Sequence, residues 1–407
     1  MTNSELHVMP LATQPPVQQL GPKAWLRKNL FSTWYNSLIT IVLGGILFRS
    51  AWGFFQWATT TAQWRVISVN FPLFFVGRYP KTEYWRLWLV VILLGGLSGL
   101  SWGIIGRKTA TLFSRSVLLG LGIAALLILL TPIGISYKLL LLGLLGLVVA
   151  KAWAGKQLGN KIPSLGQWVA SAWLILFPVI LWLIAGGFGL RSVSTNDWGG
   201  LLLTLLTSVI SILLCFPLGV LLALGRQSPL LAIRWLSILY IELIRGIPLI
   251  SILFMGQVMF PLFLPAGMRP DRILRAIVGL TLFSAAYLAE NVRGGLQAIP
   301  RGQTEAAKAL GLNSPLMLGL IILPQALKVA IPAMVGQFIS LLQDTTLLSI
   351  VGLVELLGMS RSILANPQFL GRYAEVYLFD AVLFWIFCYA MSLASRRLEK
   401  QLNSEHR

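Results

Sequence analysis

Few side chains in this sequence can do chemistry. Only 13 acids stand against 32 lysines and arginines in 407 residues, and the two histidines, His7 and His406, sit in polar end segments. No histidine falls inside an apolar stretch, which leaves no histidine metal site or histidine base there. Cys215 and Cys388 do lie in apolar stretches, where a thiol is a small packing residue. Neither an HExxH zinc helix nor a GxxxxGK[ST] phosphate loop occurs, so this chain has no usual means of hydrolysing a nucleotide. What remains is a handful of ionisable groups embedded in apolar sequence, where a charge is costly and needs a partner or a water-filled setting. Glu242 and Arg245 are three apart on one helix face and can form a structural pair, and Glu290 with Arg293 repeats the spacing. Asp344, next to Gln343, is the stronger candidate for a ligand contact or gate. Pro324 and Pro332 interrupt one apolar segment with Lys328 between them. Irregular backbone at such depth is tolerated where it lines a cavity or is buried in protein, which makes this segment the first choice for a moving, pathway-lining helix.

The elements that must hold these residues are membrane spans. Hydrophobic residues make up 57% of the chain, charged residues only 11%, and the mean hydropathy is +0.79, far from the roughly one quarter charged composition of soluble domains. Uninterrupted apolar runs such as Leu87 to Gly106, Ser116 to Tyr137, Ile162 to Leu190 and Trp198 to Gly225 reach the ~20 residues a bilayer crossing needs. The fold class is therefore all-α integral membrane, with about ten spans expected near 34–55, 87–106, 116–136, 139–153, 167–189, 198–225, 231–264, 273–292, 315–342 and 374–395. The fourth is short for a crossing. An even number puts both ends on one side, and the bias of lysine and arginine among the connections makes that side cytoplasmic. The net charge of +19 is explained by this topology and not by nucleic acid. One blemish is the connection from Gln56 to Arg86, which would be external yet carries Arg65, Arg78, Lys81 and Arg86. Its aromatic residues suggest a segment lying at the membrane interface. Gly95, Gly99 and Gly103, four apart in the second span, offer a strip for close helix approach. Arg49 snorkels, and Glu375 and Asp380 mark helix packing or a wet interface. Three regions follow: a disordered cytoplasmic tail over 1–33, an accessory membrane region over 34–190, and a core over 191–407 that holds every recognisable motif.

The core contains a polar loop at 300–324 with a short helix. Arg301 to Leu312 starts after Pro300, runs through good helix formers with Glu305 placed to complement the positive helix end, and stops at Gly311. Such a helix is too short to stand alone in water, so something must hold it. Ala306, Ala307 and Ala309 keep it thin enough to lie in a groove, with Leu310 and Leu312 as apolar anchors. Glu305, Ala306, Ala307, Gly311, Ile321, Leu323 and Pro324 fit position for position the EAA loop pattern of the membrane subunits of ABC importers, and Gly302 stands in the same loop. The likeness extends to AYLAENVRGGLQAIPRGQ at 286–303, to Tyr240, Glu242, Arg245, Gly246 and Pro248, to Gly200, Thr204, Leu205 and Gly219, and to DTTLLSIVG at 344–352. The chain thus resembles the polar amino acid branch of this permease family, the histidine and glutamine permease type, and its long extension resembles the permeases of general L-amino-acid importers.

The resemblance implies a five-helix type I importer core that pairs with a second permease, related but different in sequence. It implies a cytoplasmic ABC ATPase dimer, with ATP and Mg bound there and no cofactor on this chain. It further implies a periplasmic or extracellular solute-binding protein and an amino acid substrate, whose ammonium group is what would draw Asp344 to the pathway. The chain would be a non-catalytic subunit in the bacterial inner membrane. The main alternative, an ion-driven secondary transporter, would be expected to show inverted repeats, and no convincing repeat relates the two halves.

Overall fold

The computed structural model describes residues 21–108, 112–131, 134–162, 164–265 and 267–404, with the side chains of Lys108 and of 401–404 left out, and it is helical without any extended strand among those residues. Most of the tail expected to be disordered lies outside the described residues, but Pro22–Asn29 is a helix with Pro22 in its first turn, where the missing N–H costs nothing. The chain divides into two units, one ending at Gln63 and one running from Trp64 onward.

The first unit is dominated by Trp34–Gln56, whose start is capped by Thr33 accepting from the Asn36 N–H. None of this helix is buried. A helix this apolar and 23 residues long is one that suits a bilayer crossing.

The second unit contains the rest of the extension together with the core, so the polar connector at 191–197 lies inside one compact body. The stitching is local and specific. Tyr79 Oη donates to the Ile184 carbonyl at 2.9 Å, Arg86 Nη1 donates to the Arg191 carbonyl at 2.7 Å, and Gly77 bridges to Trp198. Arg86, 2% exposed, is also paired with Glu83 at 2.7 Å. The aromatic connection therefore does not simply lie at an interface: Arg65–Val76 is a helix whose Val66, Asn70 and Phe74 are buried in the body.

Eight described helices are long and apolar enough to cross a membrane, or nine if a bent pair counts as one span. The fourth expected span is not the weak one. Ile135–Lys161 is a continuous 27-residue helix, and the shortfall falls on its predecessor, Arg115–Leu130, only 16 residues long. The expected span at 231–264 is the bent pair, Leu231–Gly246 and Leu249–Phe263, which meet at 102°. Pro248 explains the corner, because it has no N–H to continue the first helix and forces Ile247 out of the helical region.

The glycine strip has found its partner. Added Cβ atoms on Gly99 and Gly103 would strike the backbone carbonyls of Val148 and Ala152, and one on Gly155 would strike that of Leu100. Lys81–Ile105 and Ile135–Lys161 therefore touch backbone to backbone, the contact small residues permit where lipid provides no hydrophobic drive. In the core, Arg272–Gln297 is the most enclosed span, capped by Asp271 accepting from the Ile273 N–H at 2.7 Å. It packs on Gly200–Arg226, where a Cβ on Gly219 would lie 2.9 Å from Leu288, and on Leu323–Asp344, where one on Gly295 would strike the Ala326 carbonyl.

Candidate functional site

The loop helix hangs directly from the central span. After Gln297 the chain turns through Pro300 into Arg301–Ala309. Its end is a full Schellman motif: the Gly311 N–H donates to the Lys308 carbonyl at 2.9 Å and the Leu312 N–H to the Ala307 carbonyl at 3.2 Å, with Gly311 at φ +76°. Glycine is required there because a Cβ in the left-handed region is strained. Glu305 does not complement the helix start, since no acid stands in the first turn. It is instead an exposed side chain on the second turn.

One residue fixes which side of this helix faces its own protein. Ala307 is 1% exposed and packs into the cluster that includes Leu296, Met317, Ile322 and Ala326. Gln303 Oε1 accepts a hydrogen bond from Gln325 Nε2 at 3.3 Å. Leu312 joins the same cluster, whereas Leu310 is 78% exposed, so the two expected anchors serve opposite sides. Gly302, Glu305, Ala306 and Leu310 are left facing outward.

Above the loop helix a charge cluster ties three spans together. Glu290 accepts from Arg226 at 2.9 Å and from Arg293 at 2.7 Å, and Arg245 stands 3.6 Å away. Arg226 also reaches Glu242 at 3.0 Å, and the Arg245 guanidinium lies over the Tyr287 ring at 5.5 Å. The expected Glu242–Arg245 pair is thus not what forms; each turns to another helix. Arg226, missed in the sequence, is the connecting residue. A spacing rule within one helix does not find a partner sixteen positions away on the next.

The pathway candidates share one helix without converging on one point. Lys328 and Asp344 are separated by about 24 Å of helix. Yet Pro324, Lys328, Pro332, Gly336, Ser340 and Gln343 recur at four- and three-residue steps, and all six are exposed. Together they form one winding stripe of polar, small and proline residues along a span. Five π-helical residues, Leu318–Ile322, precede Pro324, the local adjustment that absorbs a missing backbone donor. Gln343 Nε2 lies 3.8 Å from Cys388 Sγ, and Asp344 is half-buried.

Two buried acids near the far end of this helix are less legible. Glu355, fully buried, caps Leu356–Leu364 by accepting from the Leu357 and Gly358 N–H groups at 2.8 Å each. Burial pushes its carboxyl up to about 8, helped by the charge of Asp380 and opposed by those two hydrogen bonds. Asp380 is 4% exposed. The string Gly99-Leu-Ser101-Trp-Gly103 fits the bare GxSxG spacing of hydrolase nucleophiles, but its serine sits mid-helix, donating to the Leu97 carbonyl and accepting from Trp173. That is packing and not a nucleophile on a strained strand-to-helix turn.

The prolines do not break their span, which runs on continuously past both of them; a multi-span helical body, an outward-facing loop helix between two core spans and this span's exposed polar stripe suit a membrane component of a transporter. The chain belongs to the family of binding-protein-dependent transport system inner membrane components, whose family model matches residues 215–404. It is 37% identical to the inner membrane amino-acid ABC transporter permease protein YhdY of Escherichia coli over 93% of each chain. It is 36% identical to the glutamate/glutamine/aspartate/asparagine transport system permease protein BztC of Rhodobacter capsulatus over 98% of each. The probable glutamine ABC transporter permease protein GlnP of Bacillus subtilis, 36% identical, is covered over 91% of its length by 50% of this chain. Full-length relatives thus share the extension, and shorter ones match only half.

Proposed function

We propose that this chain is a permease subunit of an ATP-driven amino acid importer, forming half of the translocation pathway beside a second, related permease. The observation that carries the reading is the exposed stripe from Pro324 to Gln343. A serine and an amide in register with two prolines along a membrane span are poorly solvated by lipid, so they call for a water-filled path or a facing subunit. Gly336 leaves room on that stripe for close approach, with nothing within 4 Å of an added Cβ. The amino acid class comes from the relatives, which are named for it; they give no support to an ion-driven alternative.

In this reading both termini are cytoplasmic and a solute-binding protein delivers substrate outside. An ATPase dimer, holding ATP and Mg, docks on the outward face of Arg301–Ala309 around Glu305 and Ala306. Closure of the dimer pushes the loop helix, and Ala307 passes the movement into the cluster shared with Leu323–Asp344. The extension over 34–190 is accessory, and the core begins near 191. The test is uptake by the assembled transporter carrying Glu305→Lys or Gly311→Val. Uptake should fall at least tenfold while the subunit stays in the membrane at its normal level, and normal uptake in both variants refutes the coupling role.

A further inference from the structure

A cavity of about 420 Å³ lies inside the second unit, where the extension meets the first core helix. Phe75, Leu87, Leu94 and Phe177 wall it on the extension side, Leu201 and Val209 on the core side, and every lining residue is apolar. Water does not fill such a space, and an empty one forfeits the contacts of its walls. It is also open: Val91 and Val209, both in its lining, are 39% and 46% exposed. From Leu201 to Ile210 it follows about 13 Å of helix, close to the depth of one leaflet of a ~30 Å hydrocarbon core.

One end of the cavity carries the marks of a headgroup level. Trp85 and Trp88 stand on the turn that bears Leu87, and Trp182 precedes the lining residue Ile184, a placement typical of the aromatic belt. Just beyond them are Arg78, two residues past the lining residue Val76, and Lys81, about 10 Å of helix beyond Leu87. Both are exposed, and among the described residues neither is in an ion pair. Arg86 on the same connection is accounted for by Glu83 and the Arg191 carbonyl. Arg78 and Lys81 are two basic side chains with no internal role, at a place where the distribution of positive charge disfavours them.

We propose that the cavity holds one acyl chain of a phospholipid whose phosphate is bound by Arg78 and Lys81. The lipid would cement the extension to the core. The cavity and its aromatic rim stand independently of the transport reading; only the argument from the distribution of positive charge rests on the orientation given there.

The test uses the full-length chain in its assembled transporter, reconstituted in vesicles of phosphatidylethanolamine and phosphatidylglycerol containing a phospholipid with a photoreactive acyl chain. Irradiation should label the peptide spanning 201–210. Filling the cavity with Val91→Trp and Val209→Trp should cut that labelling at least tenfold. Reversing the exposed charges with Arg78→Glu and Lys81→Glu, which leaves the packed core untouched, should cut it at least fivefold, while labelling of the lipid-facing Trp34–Gln56 helix stays constant. Excess inorganic phosphate should not compete. Unchanged labelling in both variants, loss at the reference helix in parallel, or cross-linking from the cavity to another polypeptide in place of lipid overturns the proposal.

Discussion

Arg226 and Glu290 meet at 2.9 Å although 64 residues separate them in the chain. Arg226 ends the first core span and Glu290 sits two turns before the central span ends, so their contact fixes those two helices just above the loop helix. Charged hydrogen bonds at a partly buried site are worth about 2 kcal/mol. Arg226→Ala should therefore lower the melting temperature of the detergent-purified protein by several degrees, followed by the fluorescence of its 15 tryptophans. Glu242→Ala should cost under about 1 kcal/mol, because its carboxylate is mostly in solvent.

The two faces of the loop helix separate in a paired substitution. Ala307→Leu forces a larger side chain into a filled cluster, an overpacking cost of about 1–3 kcal/mol, and should lower both thermal stability and uptake. Ala306→Leu adds the same atoms on the exposed face. It should leave stability unchanged and reduce uptake and ATPase co-purification, if that face is the docking surface.

Gly103→Leu tests the strip that joins the second span to Ile135–Lys161. The backbones must part to admit the side chain, and the expected loss is about 3 kcal/mol or failure to insert. Gly44→Leu, on a helix with nothing within 4 Å of the added Cβ, is the matched control and should be neutral.

Glu355 makes stability depend on pH. Its folded carboxyl titrates near 8, above its ordinary 4.5, so the folded state holds the proton more tightly than the unfolded one. The associated stability is complete below about pH 4.5 and is lost as pH rises through about 8. Melting temperature should fall as pH is raised from 5 to about 8.5, and Glu355→Gln should flatten that slope. Asp380 and Arg361 are the charged groups that act on it, and a slope surviving unchanged in Glu355→Gln refutes the assignment to Glu355.

The spans were legible because apolar runs announce themselves, and so was the loop helix, whose glycine stop is a local signal. Lengths were less so. The run from Ser116 to Tyr137 is long enough to cross a bilayer, but one helix ends at Leu130 and the next begins after Gly134, with Pro132 between them in the sequence. A proline and a glycine in the sequence mark that break, and hydropathy averaged over the whole run conceals it. Partners across helices were not legible at all. Helical spacing offers Glu242 only Arg245, whereas tertiary packing gives it Arg226. Glu355 is an acid before an apolar stretch, a capping pattern recognisable only once the helix at Leu356 is known.

The corner at Pro248 sets a gearing ratio. Pro248 fixes one of the torsions there, so rotation between Leu231–Gly246 and Leu249–Phe263 passes through very few bonds. An arm of fifteen residues is about 22 Å long, and each 10° turned at its elbow carries its tip about 4 Å. The arm is not free: Leu249 and Leu253 are buried against the central span, and Gln257 donates to the Arg272 carbonyl while its own carbonyl accepts from Arg275, so a turn at the elbow has to carry the start of Arg272–Gln297 with it.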